Sequence, residues 1–173
     1  MKKYLILLIV VLCVAQTAIG FTIKGGVSYT VNEARQIAFD GVPKKIDMSK
    51  YKEYFVDKNF EKNINALKNG KNSFWNRFFM YFSDDTYAVR YKLHSEIGYY
   101  YNKDGVLFEI DFIEDRDYPK RAIKYDKKGS FKSVILIISS DEQYIFDTNK
   151  KLRSHWIGKN CYNEKGELIL TRE

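Results

Sequence analysis

The chain has 173 residues, of which 45% are hydrophobic and 16% aromatic, with 29 basic residues against 22 acidic ones and a formal charge of +7. That length fits one domain, and that apolar content excludes a disordered chain. The Lys and Arg residues are scattered among nearly as many carboxylates, which excludes the concentrated basic element of a nucleic-acid-binding protein.

The first twenty residues read as a removable export signal. Lys2 and Lys3 form a short basic start, an apolar run from Tyr4 to Ala15 follows, and Ala18-Ile19-Gly20 sets small residues where a signal peptidase reads them. The mature chain is therefore expected to begin near Phe21 as one domain over 21–173, periplasmic or extracellular. The apolar run falls short of the roughly 20 residues of an ordinary span, so no stable membrane span is expected after cleavage. Retention as an uncleaved membrane anchor is the alternative. A lipoprotein reading through Cys13 is opposed by bulky Leu12 directly before it. Without Lys2 and Lys3, 27 basic residues face 22 acidic ones, a mild +5. Cleavage also leaves Cys161 as the one cysteine, so packing must hold the fold together, and a buried, inert thiol is the favoured reading.

Residues 21–72 carry helical patterning. Thr30-Val31-Asn32-Glu33 fits a capping box, predicting a short helix to about Phe39 that Asp40-Gly41 and Pro43 terminate. Val56, Phe60, Ile64 and Leu67 recur at helical spacing, predicting a second, amphipathic helix that stops at Asn69-Gly70. From Ser73 the period changes to two. Strands are expected over Phe74 to Phe82, Tyr87 to Leu93, Ile97 to Tyr101, Val106 to Ile113, Arg121 to Tyr125, Phe131 to Ile138, Gln143 to Phe146 and Glu167 to Thr171, joined by short polar turns. Short turns connect antiparallel neighbours. The expected fold is α+β: two N-terminal helices (21–72) packed on an antiparallel β-meander (73–173) of about seven to nine strands, an open sheet or partial barrel.

A weak repeat runs through the turns: Tyr101-Asn102-Lys103-Asp104-Gly105-Val106-Leu107, Tyr125-Asp126-Lys127-Lys128-Gly129-Ser130-Phe131, Phe146-Asp147-Thr148-Asn149-Lys150-Lys151-Leu152 and Tyr162-Asn163-Glu164-Lys165-Gly166-Glu167-Leu168. The Asx side chain can cap its own turn, and Gly105, Gly129 and Gly166 can re-enter the strand through positive φ. Lys150 replaces glycine in the third copy, so that turn is expected to differ. The stretch Tyr125 to Val134 resembles the tyrosine-aspartate (YD) repeat of bacterial surface and secreted proteins, over residues 101–168 and with unequal spacing. The resemblance implies scaffolding or binding and carries no catalytic residue.

Catalytic signals are sparse. His94 and His155 are the only histidines. Neither is marked as part of a Cys161–His155 nucleophilic pair or a zinc set. Asp111, Glu114, Asp115 and Asp117 lack the alternating order of a calcium loop, and Asp84-Asp85 reads as a hairpin turn. No cofactor is called for. The aromatic weight of the sheet, in Trp75, Phe79, Tyr81, Tyr87, Tyr91, Tyr99, Tyr100 and Tyr101, instead points to an apolar surface for a small ligand, a protein partner or an envelope component. The expected function is thus a non-enzymatic binding or accessory module of a bacterial envelope. The alternative is a small secreted hydrolase using His94 or His155 with a carboxylate.

Overall fold

A computed structural model describes residues 29–114 and 117–172. The expected export signal, Cys13, the start near Phe21 and Asp115 lie outside the described residues. The described residues open with helix α1 (Val31–Phe39), a 3-10 turn (Met48–Tyr54) and helix α2 (Phe60–Lys68). Eleven strands follow: β1 (Ser73–Phe74), β2 (Arg77–Tyr81), β3 (Tyr87–Tyr91), β4 (Ile97–Tyr101), β5 (Leu107–Glu114), β6 (Lys120–Asp126), β7 (Phe131–Ile137), β8 (Glu142–Asp147), β9 (Leu152–Ile157), β10 (Asn160–Tyr162) and β11 (Leu168–Thr171). Each pairs with the next in chain order, so the sheet is one open antiparallel meander with β1 and β11 at its edges.

Eleven strands replace the expected seven to nine for identifiable reasons. Trp75-Asn76 turns the run from Phe74 to Phe82 back on itself, making β1 and β2. In β9, Leu152 pairs with Phe146 but Ser154 pairs with Ile145, so Arg153 is a bulge that breaks the period of two and hides the strand. Gly158-Lys159 then forms a two-residue turn into β10, with Gly158 at φ +56°.

Helix α1 begins as the sequence requires, with the Thr30 hydroxyl accepting from the Glu33 amide at 3.2 Å and the Glu33 carboxylate accepting from the Thr30 amide at 2.7 Å. Its Ala34 and Ala38 are fully buried against β7 and β8, where small side chains let the helix approach closely. Phe39 fills the remaining space, meeting Phe131 and Phe146 edge-on at 5.8 and 6.0 Å. Helix α2 lies over β2. Val56 is not on it: that residue is extended, bridges Val106 and is 59% exposed. Between the helices, Tyr54 stacks on Tyr99 at 4.2 Å.

The four repeat turns share one geometry. In each, the Asx oxygen (Asn102, Asp126, Asp147, Asn163) accepts from the amides two and four residues on. The residue three places on has positive φ: +73° at Gly105, +82° at Gly129, +62° at Lys150 and +78° at Gly166. The third turn therefore does not differ. Asp147 supplies the same two acceptor contacts, and these hold Lys150 in a conformation that costs an L-residue about 1–2 kcal/mol. Each turn is followed by a bulge, at Phe108, Lys132, Arg153 and Ile169. The β2–β3 hairpin uses the same loop without the Asx residue: Asp85 takes φ +62°, and Asp84 accepts from the Thr86 amide and hydroxyl.

Candidate binding groove

The aromatic residues singled out from sequence do not form one surface. Phe79, Tyr87, Tyr99 and Tyr101 are at most 4% exposed and belong to the core beneath the helices. Tyr91 is half-buried and meets Tyr54 and Tyr99. Tyr100 points to the opposite face of the sheet, stacked on Phe82, with the Lys124 ammonium 4.1 Å from its ring. Trp75 is 87% exposed in the β1–β2 turn, and Tyr81 is exposed at the far end of β2. Of the eight, Tyr81 lines a cavity.

That cavity is a groove of about 520 Å³ lined by Phe60, Ile64, Leu67 and Lys68 of α2, Tyr81 and Asp85 of the β2–β3 hairpin, and Lys103 of the β4–β5 turn. The α2 residues stand at helical spacing on one face, so the apolar stripe that the sequence shows only partly meets the sheet and its outer edge forms the groove floor. Phe60 is seated against Gly105, where a Cβ would come within 2.9 Å of the ring. Lys68 and Lys103 are the two basic residues of the lining. The Tyr81 hydroxyl donates to the Asp85 carboxylate, and this bond raises the phenol's pKa above its ordinary value.

A buried polar network anchors the groove. The Asp57 carboxylate accepts from the Asn59 amide, the Asn63 side-chain amide and the Tyr87 hydroxyl, each at 2.8 Å, and the Asn63 oxygen accepts from Arg77 Nε at 2.8 Å. Asp57, Asn63, Arg77 and Tyr87 are all buried. Burial, and next the charge of Asp57, push the Tyr87 hydroxyl well above the usual phenol range. The network ties α2 to β2 and β3 and so fixes one groove wall against the other. Sequence reasoning missed it, although Asn63 between Phe60 and Ile64 on the apolar stripe of α2 was a signal: a polar residue at a core position needs partners.

The carboxylate and histidine candidates separate. Asp111 is 2% exposed, gripped by Arg90 at 2.5 and 2.6 Å and by the Tyr100 hydroxyl at 2.7 Å. Gly98 makes this possible, since a Cβ there would sit 2.5 Å from the Asp111 carboxylate and 2.8 Å from the Arg90 guanidinium. Glu114 pairs with Arg121. His94 is exposed, 3.6 Å from Glu96. His155 is buried, with Nε2 2.8 Å from the Glu142 carboxylate and its ring stacked at 3.8 Å on Tyr144. Neither histidine lines the groove. Cys161 is buried opposite Trp156 and Leu170, and burial raises its thiol pKa. Among the described residues, no three His, Cys, Asp or Glu side chains are grouped to hold a metal ion, and no helix is long and apolar enough to cross a membrane. Compared with known proteins, the chain matches no family model, no curated protein and no solved structure.

Proposed function

We propose that the protein is an exported, non-enzymatic binding module that holds a small amphiphile, an apolar chain ending in an acidic group, in the groove between α2 and the β2–β3 hairpin. One observation carries this reading: the groove lining sets three apolar side chains, Phe60, Ile64 and Leu67, beside two lysines, Lys68 and Lys103, while its carboxylate, Asp85, accepts from the Tyr81 hydroxyl. Apolar walls supply the affinity of such a site, at about 25 cal/mol per Å² removed from water, while a few placed charges fix orientation. Export rests on the N-terminal pattern of Lys2-Lys3, the apolar run to Ala15 and Ala18-Ile19-Gly20. The hydrolase alternative through His94 or His155 has less support, since one ring is exposed beside Glu96 and the other is packed between Glu142 and Tyr144.

Titration of the purified protein with a fluorescent fatty acid is the test. Binding should saturate at one site, and Lys68→Glu with Lys103→Glu should weaken it at least tenfold while leaving Tm within a degree or two, because both ammonium groups act on the ligand from the rim. Absence of saturable binding, or unchanged affinity in the double variant, would reject the reading.

A further inference from the structure

Leu93, Trp75 and Met80 are the three most exposed large apolar side chains among the described residues, at 92%, 87% and 62%, and all three belong to one corner of the sheet. In an antiparallel meander alternate connections leave the sheet at the same end, so the β1–β2 turn and the β3–β4 connection are neighbours there. Trp75 forms the first with Asn76. Leu93 is the central residue of a single 3-10 turn, Lys92–His94, in the second. The Lys92 amide donates to the Asn76 carbonyl at 3.0 Å, which ties the two tips together. Phe78 and Met80 extend the patch along β2. Alternation buries Phe79 on the helix side and turns both of its neighbours to the opposite face, where Phe78 is 50% exposed. Lysines stand around these side chains. The Lys92 ammonium lies 4.9 Å from the centre of the Phe78 ring. Lys62 of α2 and Lys71 line a surface depression with Phe74, the residue before Trp75. Against these three lysines the β3–β4 connection sets one carboxylate, Glu96, 3.6 Å from His94.

We propose that this corner docks on an anionic lipid bilayer, with Trp75 and Leu93 entering its interfacial region and Lys62, Lys71 and Lys92 meeting its headgroups. The shape fits such a surface. Trp75 and Leu93 sit on projecting tips, which can sink into a yielding lipid layer, whereas a small-ligand site is concave. The composition favours a bilayer over a protein partner. Lysine is depleted from the cores of protein interfaces, but tryptophan at headgroup level with lysine beside it is the ordinary make-up of a membrane-surface site. Each lysine held near an anionic leaflet adds attraction, and its long apolar stem can lie along the neighbouring rings while the ammonium group reaches phosphate. The fold does not depend on the two tip side chains, since the Asn76–Lys92 bond that joins the connections is made by the backbone and both side chains stand in solvent. The site is also separate from the groove, which takes Tyr81 and Asp85 from the opposite end of β2.

Sedimentation of the purified protein with vesicles of phosphatidylglycerol and phosphatidylcholine is the test, read alongside tryptophan emission. The chain has two tryptophans, and the other, Trp156, is 8% exposed, so a change in emission on binding reports Trp75. The protein should pellet with the mixed vesicles, its emission should move to the blue, and brominated acyl chains should quench it. Trp75→Ser with Leu93→Ser should weaken this binding at least tenfold while leaving Tm within a degree or two, because both side chains are already in water in the free protein. Lys71→Glu with Lys92→Glu should weaken binding to the mixed vesicles and leave the weaker binding to phosphatidylcholine alone unchanged. Failure to pellet with the mixed vesicles, full binding by the double serine variant, or equal affinity for phosphatidylcholine alone would each overturn the proposal. A dimer or a protein complex that forms without lipid and that the double serine variant loses would equally overturn it.

Discussion

Replacing Asp57 by alanine should cost more stability than any other single polar change among the residues that line or anchor the groove. The carboxylate is 4% exposed and meets three donors at 2.8 Å, two of them the buried Asn63 amide and Tyr87 hydroxyl. Truncation strands both and removes the carboxylate that Asn63 links to the Arg77 guanidinium, itself 6% exposed. A hydrogen bond to a charged group is worth about 1.5–3 kcal/mol, and breaking one partner of a buried charged network costs about 3–5 kcal/mol. Asp57→Ala is therefore expected to lose about 4 kcal/mol, a large part of the roughly 5–15 kcal/mol by which a domain is stable. Asp57→Asn keeps the shape and one acceptor and should lose about half as much. Urea denaturation at neutral pH reads both, and Tyr87→Phe completes a double-mutant cycle in which the combined loss is smaller than the sum of the single losses. A loss below about 1 kcal/mol for Asp57→Ala, or strict additivity with Tyr87→Phe, would refute the network as the tie between α2 and the sheet.

Burial raises the hydroxyl pKa of Tyr87, Tyr99, Tyr100, Tyr101 and Tyr144, and brings Tyr125 up to about 12. In the unfolded chain these phenols ionise near 10. Their contribution is therefore intact below that pH and declines above it, by up to about 1.4 kcal/mol per tyrosine per pH unit. The urea midpoint should fall steeply between pH 10 and 11.5 as absorbance at 295 nm rises with unfolding, and a flat midpoint would contradict the burial. Gly129→Ala, at φ +82° with its Cβ directed into the Ile46 carbonyl, should destabilise by about 2 kcal/mol or more, whereas Lys150→Gly should stabilise by about 0.5–1 kcal/mol; equal effects would show that the turns are not equivalent. Gly98→Ala should loosen the Arg90–Asp111 pair and lower Tm by several degrees, readable by calorimetry.

Local chemistry was legible wherever neighbouring residues decide it. The Thr30–Glu33 capping box needs only four residues, and α1 starts and ends where that box and Asp40-Gly41 place its limits. The second helix was misjudged at its start because Val56 has the right spacing for the apolar stripe. Its extended backbone is imposed from outside, by Phe55 accepting from the Leu107 amide and Asp57 donating to Gly105. Lys150 shows the converse case. Its side chain disfavours the left-handed region, yet four Asp147-centred hydrogen bonds outweigh that preference, and a local rule stated for glycine alone gave the wrong expectation for the third turn.

The site was less legible because period-two patterning specifies which residues share a face without specifying what covers that face. Tyr99 and Tyr101 were separable from Tyr100 by alternation, but nothing in the strand says that the helices lie over the first pair. The bulges make the difficulty worse. After Leu152, unbroken alternation would direct Ser154 and Trp156 toward the helices and His155 away from them. The extra residue at Arg153 reverses this, so that His155 stands opposite Tyr144 on the core side and meets Glu142, while Trp156 faces away beside Cys161. The same reversal at Phe108 puts Ile110, not Glu109, into the core. Since each bulge follows a turn of the repeated kind, the repeat itself carries the parity change: in the first three copies the residue two places after the positive-φ position joins the core (Leu107, Leu152) or packs against it (Phe131), the next is the bulge, and inward positions resume three residues after the first. Applied to the fourth copy, that rule directs Leu168 to the same face as Leu107 and Leu152, so its 57% exposure reflects its place on the edge strand β11 rather than a strand turned the wrong way.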